Sequence, residues 1–177
     1  MNKIIILGMD NTGKTTLAET LSKELKVKLI KSTGPKVTKE TMVYNMLINL
    51  ESPEPVIFER YNMFEEIIYG NILRGESKFN FKDYMYEQTV LHKPLIIYCR
   101  PDKEKIFNFG TREQMKGVIE EKEKLLKAWD ELISKISSDI EVYVYNFNVQ
   151  SLNYMVNYIG NLLMVYYLLL ILLLQHF

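Results

Sequence analysis

The chain carries a single cysteine in 177 residues, Cys99, which excludes an internal disulfide and points to a reducing compartment. Cys99 lies in an apolar, strand-like run and reads as a small buried hydrophobe. Neither charge is in excess: 22 Lys and Arg stand against 22 Asp and Glu, so the formal net charge is zero. No overall field recruits nucleic acid or an acidic surface, and any basic site must be local. No internal repeat and no linker interrupts the chain, and its length leaves little room beyond one domain of roughly 150 residues. The first residues open directly into a strand-like run, so no charged leader with an apolar core and a cleavage site is expected. The expectation is a cytoplasmic protein.

What is present is a regular alternation. Strand-like apolar runs at 3–7, 27–31, 56–58, 94–99 and 141–146 are separated by helix-compatible segments. Five such strands predict an α/β fold, a five-stranded parallel sheet sandwiched by helices. Gly34-Pro35 and the 52–55 stretch punctuate the first half. Between 103 and 135 the chain is rich in Glu and Lys, and Glu120 with Lys124 and Glu123 with Lys127 are spaced four apart, as on a solvated helix.

The most specific feature is Gly8-Met9-Asp10-Asn11-Thr12-Gly13-Lys14-Thr15-Thr16, which satisfies the G-x-x-x-x-G-K-[ST] spacing of a phosphate-binding loop. An isoleucine-rich run precedes it, and a segment with Leu17, Ala18, Leu21 and Leu25 at helical spacing follows. A loop that wraps a phosphate needs backbone conformations barred to residues with a Cβ, hence Gly8 and Gly13. Lys14 is placed to neutralise the β- and γ-phosphates of ATP. Thr15 opens the helix, where its hydroxyl can reach Mg2+ while the positive end of the helix dipole faces the triphosphate. Gly8, Asp10, Asn11, Thr12, Gly13, Lys14, Thr15 and Thr16 are the candidate ATP-binding residues.

A second cluster, Val56-Ile57-Phe58-Glu59-Arg60-Tyr61, ends a buried strand in a carboxylate, an arginine and an aromatic. Charges at the carboxyl end of a parallel strand face the site crevice. Glu59 is suited to hold the magnesium hydration shell or accept a proton, and Arg60 offers a planar fork for a phosphate.

Together these motifs resemble the thymidylate kinase family and the wider group of nucleoside and nucleoside monophosphate kinases. Glu59 stands where thymidylate kinases usually have aspartate, and Glu-Arg at that point is similar to the deoxynucleoside kinases. The resemblance implies that Arg60 contacts the acceptor's 5′ end or its phosphate, that Phe64 and Tyr69 pack against its base, and that Arg74 reaches its phosphate. It also places Thr33 and Gly34 of Lys31-Ser32-Thr33-Gly34-Pro35 at the acceptor, where the family's Arg-Glu-Pro loop is absent. The 109–118 segment matches the position of the family's mobile lid. Arg112 is its candidate transition-state cation, flanked by the hinge candidates Gly110 and Gly117. The Asn-Thr-Gly-Lys-Thr-Thr loop, the Lys-Ser-Thr-Gly-Pro segment and the Arg-Glu-Gln-Met lid resemble small bacteriophage nucleotide kinases, over roughly residues 1–146.

From 142 to 177 there is no Asp, Glu, Lys or Arg, and 162–174 is an unbroken apolar run. Such a run is shorter than the ~20 residues of a membrane span and lacks basic flanks, so a buried final helix leads over an oligomer contact, a short membrane-associated tail or an altered reading frame.

The resulting expectation is a kinase domain over 1–160 with a lid at about 103–118 and an apolar tail at 161–177. Catalysis is assigned to Lys14, Glu59, Arg60 and Arg112, and metal binding to Thr15 and Glu59. The resemblance implies phosphoryl transfer from ATP with Mg2+ to a deoxynucleoside monophosphate, dTMP above others. The partners are small nucleotides, with no nucleic acid or membrane expected and a homodimer left open. Two other readings fit the same residues: a deoxynucleoside kinase acting on a 5′-hydroxyl, and a non-catalytic nucleotide-binding or membrane-tethered protein.

Overall fold

A computed structural model describes residues 2–110 and 114–174. Five strands, β1 (Lys3–Leu7), β2 (Lys28–Lys31), β3 (Val56–Glu59), β4 (Leu95–Cys99) and β5 (Val142–Tyr145), form one sheet in the order β2-β3-β1-β4-β5. Every neighbouring pair is parallel. The strands coincide with the five expected runs to within a residue at each end, and β3 extends to include Glu59.

Successive side chains of a strand point to opposite faces, so β1 feeds two cores at once. Ile4 and Ile6 pack with Leu17, Ala18 and Leu21 of α1 (Lys14–Leu25) and with Met155 and Ile159 of the last helix. Ile5 and Leu7 face the other way, toward α2 (Lys39–Leu50), α4 (Tyr84–Leu91) and α6 (Lys122–Ile136). Between these, α3 (Asn62–Glu65) continues as a π-helix over Glu66–Arg74 that ends at Gly75 in the left-handed region. Wide helical turns of this kind recur at functional sites.

The acid- and lysine-rich stretch becomes α6, whose inner face buries Leu125, Leu126, Trp129, Leu132, Ile133 and Ile136. Its charges pair differently from the expected spacing: Lys124 meets Glu121 at 3.6 Å, Lys127 meets Glu131 at 3.6 Å, and Glu123 meets Lys103 of α5 (Lys103–Ile106) at 3.1 Å. Glu120 precedes the helix and so cannot join its i, i+4 ladder.

At the N-terminal edge of the sheet, Lys3 is buried and its ammonium donates to the carbonyls of Ser52 (2.6 Å) and Glu54 (2.8 Å), securing the loop before β3. Burial lowers its pKa to about 8.

The last helix, α7 (Leu152–Leu174), is continuous through residue 160, so the expected boundary between domain and tail falls inside it. Its first half is core: Met155, Ile159 and Leu163 are buried, and a Cβ on Gly160 would lie 3.3 Å from Leu25 of α1. Its second half is not. Met164, Val165, Tyr167, Leu168, Leu169, Ile171 and Leu172 are exposed, so the tail divides between a packed and an unpartnered part.

Candidate active site

The glycine loop joins β1 to α1 at the carboxyl edge of the sheet. Gly8 has φ +140°, and a Cβ there would stand 2.6 Å from the carbonyl oxygen of Cys99 and 2.9 Å from the Thr12 hydroxyl. Both the dihedral and the space therefore require glycine. Gly13 has φ +81°, and a Cβ there would lie 3.1 Å from the ring of Phe147. Asn11 adopts φ +63°, and its amide donates to the carbonyls of Lys105, Ile106 and Asn108, which ties the loop to the segment after α5. Thr12 donates to the Met9 carbonyl at 2.8 Å.

Lys14 is 4 % exposed and folds back so that Nζ donates to the Met9 carbonyl. Burial, with the nearby positive charge of Arg60 as the second cause, lowers its pKa to about 8. The Thr15 hydroxyl donates to Oε1 of Glu59, a contact made possible because β1 and β3 are adjacent. Glu59 is 6 % exposed, its Oε2 is buried with no hydrogen-bond partner among the described residues, and Lys31 Nζ stands 3.8 Å from that oxygen. An orphaned carboxylate oxygen beside a threonine hydroxyl is a hard-oxygen pair, the donor type Mg2+ takes when it completes its shell with water and phosphate. The residues fit such an ion.

At the end of β3, Arg60 adopts φ +65°, while its amide still donates to Ile6 at 3.0 Å. Its guanidinium is forked between two acids, Nη1 donating to Glu65 at 2.8 Å and Nη2 to Asp10 of the glycine loop. Asp10 also accepts from the Tyr69 hydroxyl at 2.9 Å. Burial alone would push the Asp10 carboxyl up, but Arg60, Lys14 and these hydrogen bonds outweigh it and hold the group below its ordinary value. Glu65 is shifted the other way, because burial outweighs its cationic neighbours. At the far end of the same helical segment, Arg74 reaches back to Glu66 at 2.7 Å.

These groups line a cavity of about 350 Å³ together with Ser32, Gly34, Pro35, Asn62, Gln114 and Met115. A second cavity of about 420 Å³ lies across the loop, between Asn11, Gly13 and Thr16 on one side and Tyr145, Phe147, Gln150, Ser151 and Leu152 on the other.

The expected residues distribute unevenly over this architecture. Gly8, Asp10, Asn11, Thr12, Gly13, Lys14, Thr15 and Thr16 form the loop and the start of α1, and Glu59 and Arg60 meet them. Tyr69, Arg74 and Gly34 line the first of these cavities. Thr33 does not; it faces a smaller neighbouring cavity and accepts from Asn62 at 3.4 Å. Phe64 lies wholly in the core, 5.7 Å from the Tyr61 ring, and lines neither cavity. Arg112 lies outside the described residues. Gly110 and Gly117, with φ +56° and +89°, bound that segment in left-handed conformations.

Sequence reasoning passed over Glu65, Glu66 and Asn62. The available signal was two adjacent acids inside the apolar run Met63-Phe64-Glu65-Glu66-Ile67-Ile68, where solvent cannot satisfy both. The expected loop residue Asp10 also lines the cavity shared with Arg60 and Tyr69.

A parallel sheet with a glycine loop between its central strand and the following helix defines a P-loop NTPase with the kinase fold. The chain belongs to the ATPase family associated with various cellular activities (AAA), matching it over residues 4–97. Among solved structures it is similar to YorR protein from Bacillus subtilis, determined in complex with phosphorylated GDP. The TM-score is 0.76 at 20% identity, over 93% of this chain and 97% of that one. It is also similar to deoxyadenosine kinase from M. mycoides with bound dCTP, with TM-score 0.61 and 20% identity over 92% and 99% of the two chains. Thymidylate kinase from Candida albicans follows at TM-score 0.55 and 13% identity over 93% and 91%. No curated protein sequence matches. At these identities the likeness concerns the fold.

Proposed function

We propose that this chain is a kinase domain that transfers the γ-phosphoryl group of ATP to a deoxynucleoside monophosphate, with dTMP the favoured acceptor. The observation that carries the reading is Arg60, whose guanidinium spans from Asp10 of the glycine loop to Glu65 in the acceptor cavity. One fork thereby couples the donor-binding loop to the acceptor space. In the proposed step an acceptor phosphate oxygen bonds to the γ-phosphorus as its bond to the β-bridging oxygen breaks, and ADP leaves. Phosphoryl transfer needs positioning and neutralisation of charge more than covalent help from the protein. Lys14 and the loop amides hold the triphosphate, and Arg60 holds the acceptor's phosphate. Arg112 is assigned to the lid that closes over both and excludes water. Thr15 and Glu59 would hold Mg2+, which supplies charge neutralisation on the β- and γ-oxygens when bound. The cavity beside Phe147 suits the ATP base. The proposed setting is the cytoplasm, that of an infected host if the chain is of phage origin.

A second reading, transfer to the 5′-hydroxyl of a deoxynucleoside, is favoured by one feature. Both cavity arginines are already paired with buried acids, Arg60 with Asp10 and Glu65, and Arg74 with Glu66. A cavity whose cations are internally neutralised suits an uncharged acceptor, with Glu59 then orienting or deprotonating the hydroxyl.

Coupled ADP release with ATP and Mg2+ tests both, comparing dTMP, dGMP, dCMP, dAMP, thymidine and no acceptor, with Lys14→Ala as blank. Turnover with a monophosphate that vanishes in the variant supports the first reading and names the acceptor. Turnover with thymidine alone replaces it by the second, and turnover with none of them overturns both.

A further inference from the structure

Helix α7 outruns the body it packs on. It packs on α1 at Gly160, where a Cβ would lie 3.3 Å from the side chain of Leu25, the last residue of α1. Beyond that contact, residues 161–174 continue for about 21 Å at ~1.5 Å per residue. The side chain of Leu163 is the last one that the described body buries. Between Met164 and Leu172, seven large apolar side chains are 42–56 % exposed, over an arc of about 200° at ~100° per residue. Half-exposure of seven such residues leaves on the order of 700 Å² of apolar surface, above the ~300–600 Å² of the largest patch on an ordinary monomer. A helix that is apolar all round is normally buried.

Beneath the overhang lies a groove of about 720 Å³. Its wall is Leu163, Tyr167 and Leu168 of α7, and its floor is Leu25, Val27 and Pro55, with Lys28 and Glu54 among the polar residues that line it. Groove and overhang are therefore continuous, one concave and one convex, on the same face of one chain. That is the self-complementary pairing a two-fold axis requires.

We infer that a second copy of this chain covers this face, the two α7 helices packing antiparallel so that each overhang runs back into the other's groove. A parallel pairing would leave both grooves empty. The area available per copy is close to the ~800 Å² per partner of a standard stable interface. A membrane surface is the competing occupant, and the composition disfavours it. From 142 to 177 there is no Lys or Arg to meet anionic headgroups, and no charged face to stay in water. No described helix is long and apolar enough to cross a membrane. The interface lies at the N-terminal ends of β2 and β3, opposite the glycine loop, so it leaves both cavities of the active site open and does not depend on which acceptor they take.

Sedimentation velocity of the full chain tests this from about 1 to 100 μM, the range of ordinary dimer affinities. The expected species has twice the 20.9 kDa chain mass. Leu168→Glu and Val165→Lys, both at exposed positions, are expected to weaken the dimer at least about a hundredfold while the circular dichroism spectrum and ATP binding stay unchanged. A native chain that remains monomeric, a dimer that both substitutions leave intact, or an open-ended assembly overturns the inference. So does a monomer that co-sediments with phosphatidylcholine–phosphatidylserine vesicles, which would assign the face to a lipid surface.

Discussion

Arg60 and Asp10 lie 50 residues apart in the chain and form a hydrogen-bonded ion pair between the end of β3 and the glycine loop. Because Asp10 also accepts from Tyr69, removing its charge loosens both Arg60 and Tyr69, which the proposed function places at the acceptor. Asp10→Asn is therefore expected to raise KM for the acceptor by about 10- to 100-fold, the worth of a hydrogen bond to a charged group. KM for ATP should change far less. Steady-state kinetics with each substrate varied in turn checks this, and a loss confined to ATP would return Asp10 to the donor side.

The buried amine of Lys14 makes ATP binding pH-dependent. Its pKa in the free protein is about 8, lowered by burial, whereas a bound triphosphate favours the charged form. Below pH 8 the amine is already protonated and this group adds no pH dependence. Above pH 8 binding must take up a proton, so affinity falls toward tenfold per pH unit. Titration calorimetry at pH 7, 8 and 9, in buffers of different ionisation enthalpy, should show proton uptake only at the upper end. Lys14→Ala should abolish that uptake.

Glu59 receives the Thr15 hydroxyl on one oxygen and leaves the other without a hydrogen bond. Glu59→Gln keeps the shape and removes the anionic oxygen, so the Mg2+ concentration for half-maximal turnover should rise by about 10- to 100-fold. An unchanged magnesium requirement would remove Glu59 from the metal shell.

Phe64 separates core from pocket. Resemblance placed it at the acceptor base, whereas it is fully buried against Tyr61 and lines neither cavity. Phe64→Leu is expected to cost about 1–2 kcal/mol in urea unfolding and to leave acceptor KM nearly unchanged. A large KM effect at full stability would place the ring in the pocket after all.

Much of this arrangement was legible in the chain because it depends on local chemistry. An isoleucine-rich strand, glycines at positions that exclude a Cβ, and a lysine and threonine opening a helix specify the loop within nine residues. Five short apolar runs alternating with helical segments specify a parallel sheet, because each crossover must be covered by a helix. The helix α6 was harder. Its charges suggested a solvated element, yet the Leu125–Trp129–Leu132 stripe between them belongs to the core.

The sequence by itself determined the class of this protein: the parallel sheet, the phosphate loop and the carboxylate–arginine end of the third strand. Only the tertiary structure decided which groups meet. Strand order put Glu59 beside Thr15, and a left-handed turn at Arg60 aimed one guanidinium at both Asp10 and Glu65. The helix after β3 drew two acids into the cavity and sent Phe64 to the core, and the short reach of α1 left half of α7 uncovered. The reason is physical. Periodicity and backbone conformation are properties of neighbours in the chain, whereas pairing, burial and exposure depend on elements tens of residues apart.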